Sequence, residues 1–316
     1  MSSPWDFTVP NVPTHSNLQC FLQCITPIVK KCNKRSKEEA EKEGFKLSEV
    51  WESYSEWSAY GVAVPILLNN GDRVVQYYSP TLSALQLYTS TLIDDKLWGK
   101  DKSDKTSSND NSSCLGSNAT KNDDNSCNIQ TTADRCGYLY CQYDETTAPY
   151  DRVPFTEKIK ELGKHYPGLI NLHCMNLSPY SWIAIAWYPV YQIPTAINVK
   201  ELSACFVTYH PLFSLPQASE NVKLEVEKVE GKKSKEEEMC LPPFAMVSYK
   251  MFGTLWTNPK TTDYDIALRH QTAACCWLKQ LNFHHHDFNF FMSHVAGEVI
   301  NTYQHVPITS NARSFQ

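Results

Sequence analysis

The densest grouping of residues able to do chemistry is His284-His285-His286-Asp287, with His294 seven residues further on. In an extended segment His284 and His286 point the same way, and His294 returning from a following helix would complete three imidazole ligands with one open position, as in a catalytic zinc site. The spacing has no repeated ligand pair and no His-x3-His within one helix, so a solvated loop leading into a helix is the plainer reading and no metal is favoured. The cysteines add little to that. Cys20-x3-Cys24, Cys136-x4-Cys141 and adjacent Cys275-Cys276 include no C-x-x-C. Cys20 and Cys24 sit among Leu18, Phe21, Leu22 and Ile25 at helical spacing and read as small buried hydrophobes.

Thiols beside histidines occur at His173-Cys174 and at Cys205 with His210. Catalytic dyads are spatial, and Cys205 and His210 differ in strand parity, so a buried strand cysteine explains the second pair better. No G-x-S-x-G, H-E-x-x-H, Walker A or G-x-G-x-x-G is present, which removes the commonest hydrolase, zincin and nucleotide-binding signatures. Aromatic residues are the remaining signal, at 12% of the chain. Trp57, Tyr60, Trp187, Tyr188 and Tyr191 are candidates for a groove that takes a sugar ring, a peptide or a proline-rich segment. Against this, Trp57 shares a helical stripe with Val50, Trp51 and Tyr54, and Trp182 and Trp187 lie in a strand that is apolar on both parities; both patterns read as core.

These side chains are carried by a mixture of helix and strand. Ser16 or Asn17 caps a helix with the stripe Leu18, Phe21, Leu22 and Ile25, which Pro27 ends. A second helix carries Leu47, Val50, Trp51, Tyr54 and Trp57. Val62–Leu68 and Arg73–Ser79 flank Asn70-Gly71, which predicts a hairpin with a two-residue turn, and Pro65 marks an edge or a bulge. Tyr138–Tyr143 reads as a strand, and Pro154 opens a helix with Phe155, Ile159, Leu162 and Tyr166 that Pro167-Gly168 stops. Trp182–Tyr191 and Ala204–His210 suit strands covered on both faces, and Ala245, Val247, Tyr249 and Met251 alternate as a half-buried strand does. Two helices close the chain: Thr262–Leu281, with a capping box from Thr262 to Asp265, and Asp287–Tyr303, with Asp287 as N-cap. The pattern predicts an α+β fold, a mainly antiparallel sheet of about five or six strands backed by helices.

Two segments interrupt that pattern. Residues 99–135 are almost wholly Lys, Asp, Ser, Asn and Thr and bury too little apolar surface to offset their ordering entropy, which predicts a disordered insertion. Residues 219–240 form a second, charge-dense insertion. The 316 residues then make one domain, 1–316, interrupted by these two insertions.

Composition bounds the function. The chain is 42% hydrophobic with a net charge of −5, and removing the insertions leaves no basic excess, so nucleic acid is an unlikely partner. The basic run 30–37 is followed directly by Glu38-Glu39, which favours a solvated loop over an import signal. The apolar stretches Gly61–Leu68 and Trp182–Tyr191 are well short of the roughly 20 residues of a membrane-spanning helix, which excludes a membrane partner of that kind. The first residues have no basic and apolar secretory pattern, and Ser2 rather than Gly removes myristoylation, so the expected address is cytoplasm or nucleus.

The block Trp51-Glu-Ser-Tyr-Ser-Glu-Trp-Ser-Ala-Tyr-Gly-Val-Ala-Val-Pro65 is followed by Val74-Val-Gln-Tyr-Tyr-Ser-Pro80 and Leu85-Gln-Leu-Tyr88. Further on come Ser181-Trp-Ile-Ala-Ile-Ala-Trp-Tyr-Pro-Val-Tyr-Gln-Ile-Pro-Thr195 and Asp287-Phe-Asn-Phe-Phe291. In this order they resemble the land-plant family known as domain of unknown function 789. The resemblance implies a plant protein, mostly one domain with a variable low-complexity insertion, and it implies no reaction and no cofactor. The expectation for function is a non-enzymatic binding or adaptor module with a protein or small-molecule partner. The alternative is an enzyme whose site is assembled from distant residues, His-rich and metal-assisted, drawing on His210, His270 or the His284–His286 cluster.

Overall fold

A computed structural model describes residues 16–31, 44–90, 136–190, 200–213, 238–251, 254–257 and 261–294. The insertion expected at 99–135, most of the one at 219–240, residues 32–37 of the basic run and Tyr191 lie outside the described residues.

Eight strands occur among the described residues: β1 (Ile28–Lys30), β2 (Val62–Leu67), β3 (Arg73–Thr89), β4 (Tyr138–Asp144), β5 (Trp182–Pro189), β6 (Cys205–Pro211), β7 (Glu238–Cys240) and β8 (Ala245–Tyr249). A six-stranded sheet runs β2-β3-β5-β6-β8, with β4 also paired to β3, and a small second sheet joins β1 to β7. Every pairing is antiparallel, which is the expected α+β class. The end of the predicted charged insertion is thus a strand: Glu238, Met239 and Cys240 pair with Lys30, Val29 and Ile28.

Helices among the described residues are α1 (Asn17–Cys24), α2 (Leu47–Ser53), α3 (Ser55–Tyr60), α4 (Phe155–His165), α5 (Gly168–Asn171) and α6 (Asp263–Leu281), and residues 286–294 are helical again. Ser16 caps α1 through a capping box with Gln19. The second predicted helix is two, α2 and α3, broken at Tyr54, whose ring is driven fully into the core against Phe155 and Trp187. The capping box expected at α6 does not form: Thr262 makes no side-chain cap bond, and Asp263 instead accepts from Thr261.

Strand alternation assigns the core. Residues 80–89 of β3, with β5 and β6, are mostly buried on both faces. Phe206, Ile183, Ile185, Trp187, Leu82 and Tyr78 pack on one face against α1, α2 and α4. Trp182, Ala184, Ala186, Val207, Tyr209 and Ala84 pack on the other against α6 and Phe291 of the closing helical segment. Small side chains on that second face let the helical layer approach the sheet closely. The hairpin of β2 and β3 differs from expectation in its turn. Leu68 N–H donates to Asp72 O and Gly71 N–H to Leu68 O, so Asn69, Asn70 and Gly71 form the loop, with Gly71 at φ +90 where a side chain would be strained. A two-residue turn of type I′ or II′ over Asn70-Gly71 needs positive φ at the first central residue, and Asn70 does not adopt it. Pro65 lies on an outer strand, as predicted.

Candidate functional site

The chemistry-bearing residues meet on the second face of the sheet, at a bulge in β3. Leu82 pairs with Ile185 and Ala84 with Ala184, leaving Ser83 as the extra residue. A bulge turns its extra side chain away from ordinary alternation, and here Ser83 points to the helical layer. The partner residues arrive through the α6 connector. α6 ends on Asn282 in the left-handed conformation at φ 50, and Phe283 N–H closes back to Leu278 O. Phe283 then packs edge-on to Trp182 at 5.5 Å, which holds His285 against the sheet.

Five side chains join there. Ser83 Oγ lies 2.8 Å from His285 Nε2 and 2.5 Å from Asp287 Oδ2. Tyr209 OH lies 2.8 Å from His285 Nδ1. Arg152 donates from both terminal nitrogens to Asp287, at 2.8 and 2.7 Å, and from Nε to Thr147 O, and its guanidinium lies over the Tyr188 ring. Ser83, Tyr209, His285 and Asp287 are all buried. Burial works to raise the Asp287 carboxyl, but the hydrogen bonds and charge of Arg152 hold it below the ordinary carboxylate range. Burial pushes His285 down to about 4, so it is neutral at pH 7. At the rim, Asp144 is raised by burial and accepts from the His286 backbone N–H.

These facts fix the direction of every bond. Asp287 is ionised and can only accept, so Ser83 donates to it. The serine has no second hydrogen, so His285 donates from Nε2 to Ser83, and Nδ1 accepts from Tyr209. A serine nucleophile needs the reverse, with an imidazole lone pair facing the hydroxyl and a carboxylate on the other ring nitrogen. The cluster has the residue types of a hydrolytic triad and the opposite polarity. What it does is tie β3, β6, the residues before α4 and the closing helical segment into one buried ion pair and hydrogen-bond chain.

The predicted residues are distributed otherwise. His284 and His286 do point the same way, outward, but His284 contacts Asn289 at 3.0 Å and His294 bonds Phe290 O at 2.8 Å, so the three imidazoles do not meet. Among the described residues no group of three or more His, Cys, Asp or Glu is placed to hold a metal ion. Asp287 is not the N-cap: residue 286 is already helical, and the carboxylate is engaged by Arg152.

His210 sits on the opposite face. It lies 2.8 Å from Thr208 Oγ1 and 2.8 Å from Leu241 O, and Trp187 Nε1 donates to the same Thr208. The sheet therefore separates His210 from His285, and one site cannot use both. His270, on α6, has its Nδ1 buried without a hydrogen bond among the described residues. The aromatic groove does not form as a unit either. Trp187 is fully buried on the first face and Trp57 packs edge-on to it at 5.9 Å, Tyr188 points to the second face, and Tyr60 is 79% exposed. Successive strand residues face opposite ways, which sends Trp187 and Tyr188 apart.

As metal ligands the outer histidines stand out in the sequence and His285 does not. The alternation that turns His284 and His286 outward also turns His285 inward, so that signal was available. Ser83 and Arg152 had none, because a bulge and a lone loop arginine leave no pattern.

No curated protein and no solved structure matches the chain. Residues 16–291, a span that ends within the closing helical segment just after His285 and Asp287, match the family model described as "Protein of unknown function (DUF789)", and the chain belongs to that family.

Proposed function

We propose that this protein is a non-enzymatic binding module of the cytoplasm or nucleus, and that its partner, a polypeptide segment, docks on the open face of the β2–β3 hairpin. The observation that carries this reading is the run of apolar side chains on that face. Leu67 and Val75 are each 45% exposed and Tyr77 39%, with Pro65 opposite Val75, Ala63 opposite Tyr77, and Val190 beside them. Further along the sheet the same face is covered by α6 and the closing helical segment; here no described helix covers it. An exposed apolar ladder that includes an aromatic side chain suits a protein segment, whereas small polar ligands are taken in concave sites with convergent polar groups. No two of the described cysteines form a disulfide with each other, which suits a reducing compartment, and no described helix is long and apolar enough to cross a membrane.

A photo-crosslinking amino acid at position 75 should give a discrete higher-mass adduct in cells, and one at exposed Tyr150 should not. A crosslinker at Leu67 should give the same adduct, and Val75→Glu together with Tyr77→Glu should abolish it while leaving the thermal midpoint nearly unchanged. A silent position 75, or adducts that survive the double substitution, would sink the reading.

A further inference from the structure

β2 is an outer strand of the large sheet, and an outer strand offers alternate backbone groups to any extended chain that reaches it. The hairpin tells which groups those are. Leu68 N–H donates to Asp72 O at 2.8 Å, so the even-numbered residues of β2 face β3. Ala63, Pro65 and Leu67 then turn their N–H and C=O positions outward.

Two of these three positions are barred from the full pair of hydrogen bonds an added strand would make. At Leu67 a single side chain takes both groups: Leu67 N–H donates to Asn17 Oδ1 at 2.8 Å, and Asn17 Nδ2 donates to Leu67 O at 2.9 Å. The carboxamide offers Leu67 the acceptor and donor that a residue of a neighbouring strand would offer. At the middle position Pro65 has no N–H to give. Asn17 is itself held in place. Its Nδ2 also donates to Leu255 O at 2.8 Å, and it begins α1 directly after Ser16, whose hydroxyl donates to Asp263.

We propose that Asn17 and Pro65 keep the outer edge of β2 closed to strand addition by a second copy of this chain. The occupant follows from the strand: Val-Ala-Val-Pro-Ile-Leu has no charge and is largely β-branched or apolar, the composition that pairs with itself when its edge is open. An uncharged edge beside an exposed apolar face is an aggregation hazard, and a carboxamide plug and a proline remove the hazard while leaving the face uncovered. The proposal is independent of what docks on that face.

The test uses the full chain with Asn17→Ala, Pro65→Val and both together, read by light-scattering mass and far-UV circular dichroism. The double variant should at least double in mass relative to the unsubstituted chain at equal concentration, with the native spectrum retained. An unchanged mass, or association that comes only with loss of that spectrum, overturns the proposal. Hydrogen exchange on the unsubstituted chain gives a second reading. The Leu67 amide should exchange at least about tenfold more slowly than that of Ala63, and equal rates would remove the plug.

Discussion

Ser83 gives its hydroxyl hydrogen to Asp287 and receives one from His285, with Oγ 2.5 Å from the carboxylate and 2.8 Å from the imidazole. The ion pair with Arg152 sets that direction by keeping Asp287 ionised. His210 is polarised the other way. Leu241 O can only accept, so His210 carries its hydrogen on Nδ1, and Nε2 accepts from Thr208, which accepts from Trp187. Two buried neutral histidines on opposite faces of one sheet are thus fixed as opposite tautomers.

Nitrogen NMR of labelled protein at neutral pH should therefore find His285 protonated at Nε2 and His210 at Nδ1. An Nδ1–H tautomer at His285 would free the lone pair that faces Ser83 and restore the serine as a candidate nucleophile.

The Arg152–Asp287 pair has both side chains almost wholly out of solvent. Removing one partner leaves the other buried and uncompensated, so Asp287→Ala should cost roughly 3–5 kcal/mol in urea unfolding. Replacing both with Arg152→Met and Asp287→Leu should cost less than that single change. A single variant as stable as the unsubstituted chain would show that the pair is solvated in solution.

Acid should act through the two histidines. Burial lowers each from 6.5 to about 4, so between those values the unfolded chain binds more protons than the folded one. Their contribution is fully present above about 6.5 and is lost as pH falls towards 4, at roughly 3 kcal/mol for each. Asp287, also depressed, adds a further loss at lower pH. The urea midpoint should fall steadily from about pH 7 to about pH 4.5, and a flat profile would mean that these rings are not buried neutral.

Elements with a strong local period were legible in the sequence. β5 and β6, apolar on both parities, are buried on both faces, and the stripe Leu18, Phe21 and Ile25 is the inward side of α1 and the residue after it. What failed were features that tertiary packing overrides. The break at Tyr54 follows from a ring drawn into the core, and the cap expected from Asp287 gives way to an arginine 135 residues away. The candidate site was half legible. His285 and Asp287 sit in a conspicuous cluster, but its polarity depends on Ser83 and Arg152, which only the folded chain brings to it.

The thiols make a separate test of how burial and neighbours set reactivity. Cys20 lies in α1 with the Cys24 thiol beside it at i+4, and hydrogen bonding from Cys24 lowers Cys20 against the opposing effect of partial burial. Burial pushes Cys141 and Cys205 up to about 12. The thiolate is the reacting form, so alkylation of the native protein at neutral pH should reach Cys20 well before Cys141 or Cys205. Cys24→Ala removes the donor and should slow labelling of Cys20 several-fold without altering the other two. Labelling of Cys20 at an unchanged rate in that variant would mean that exposure, and not the neighbouring thiol, governs its reactivity.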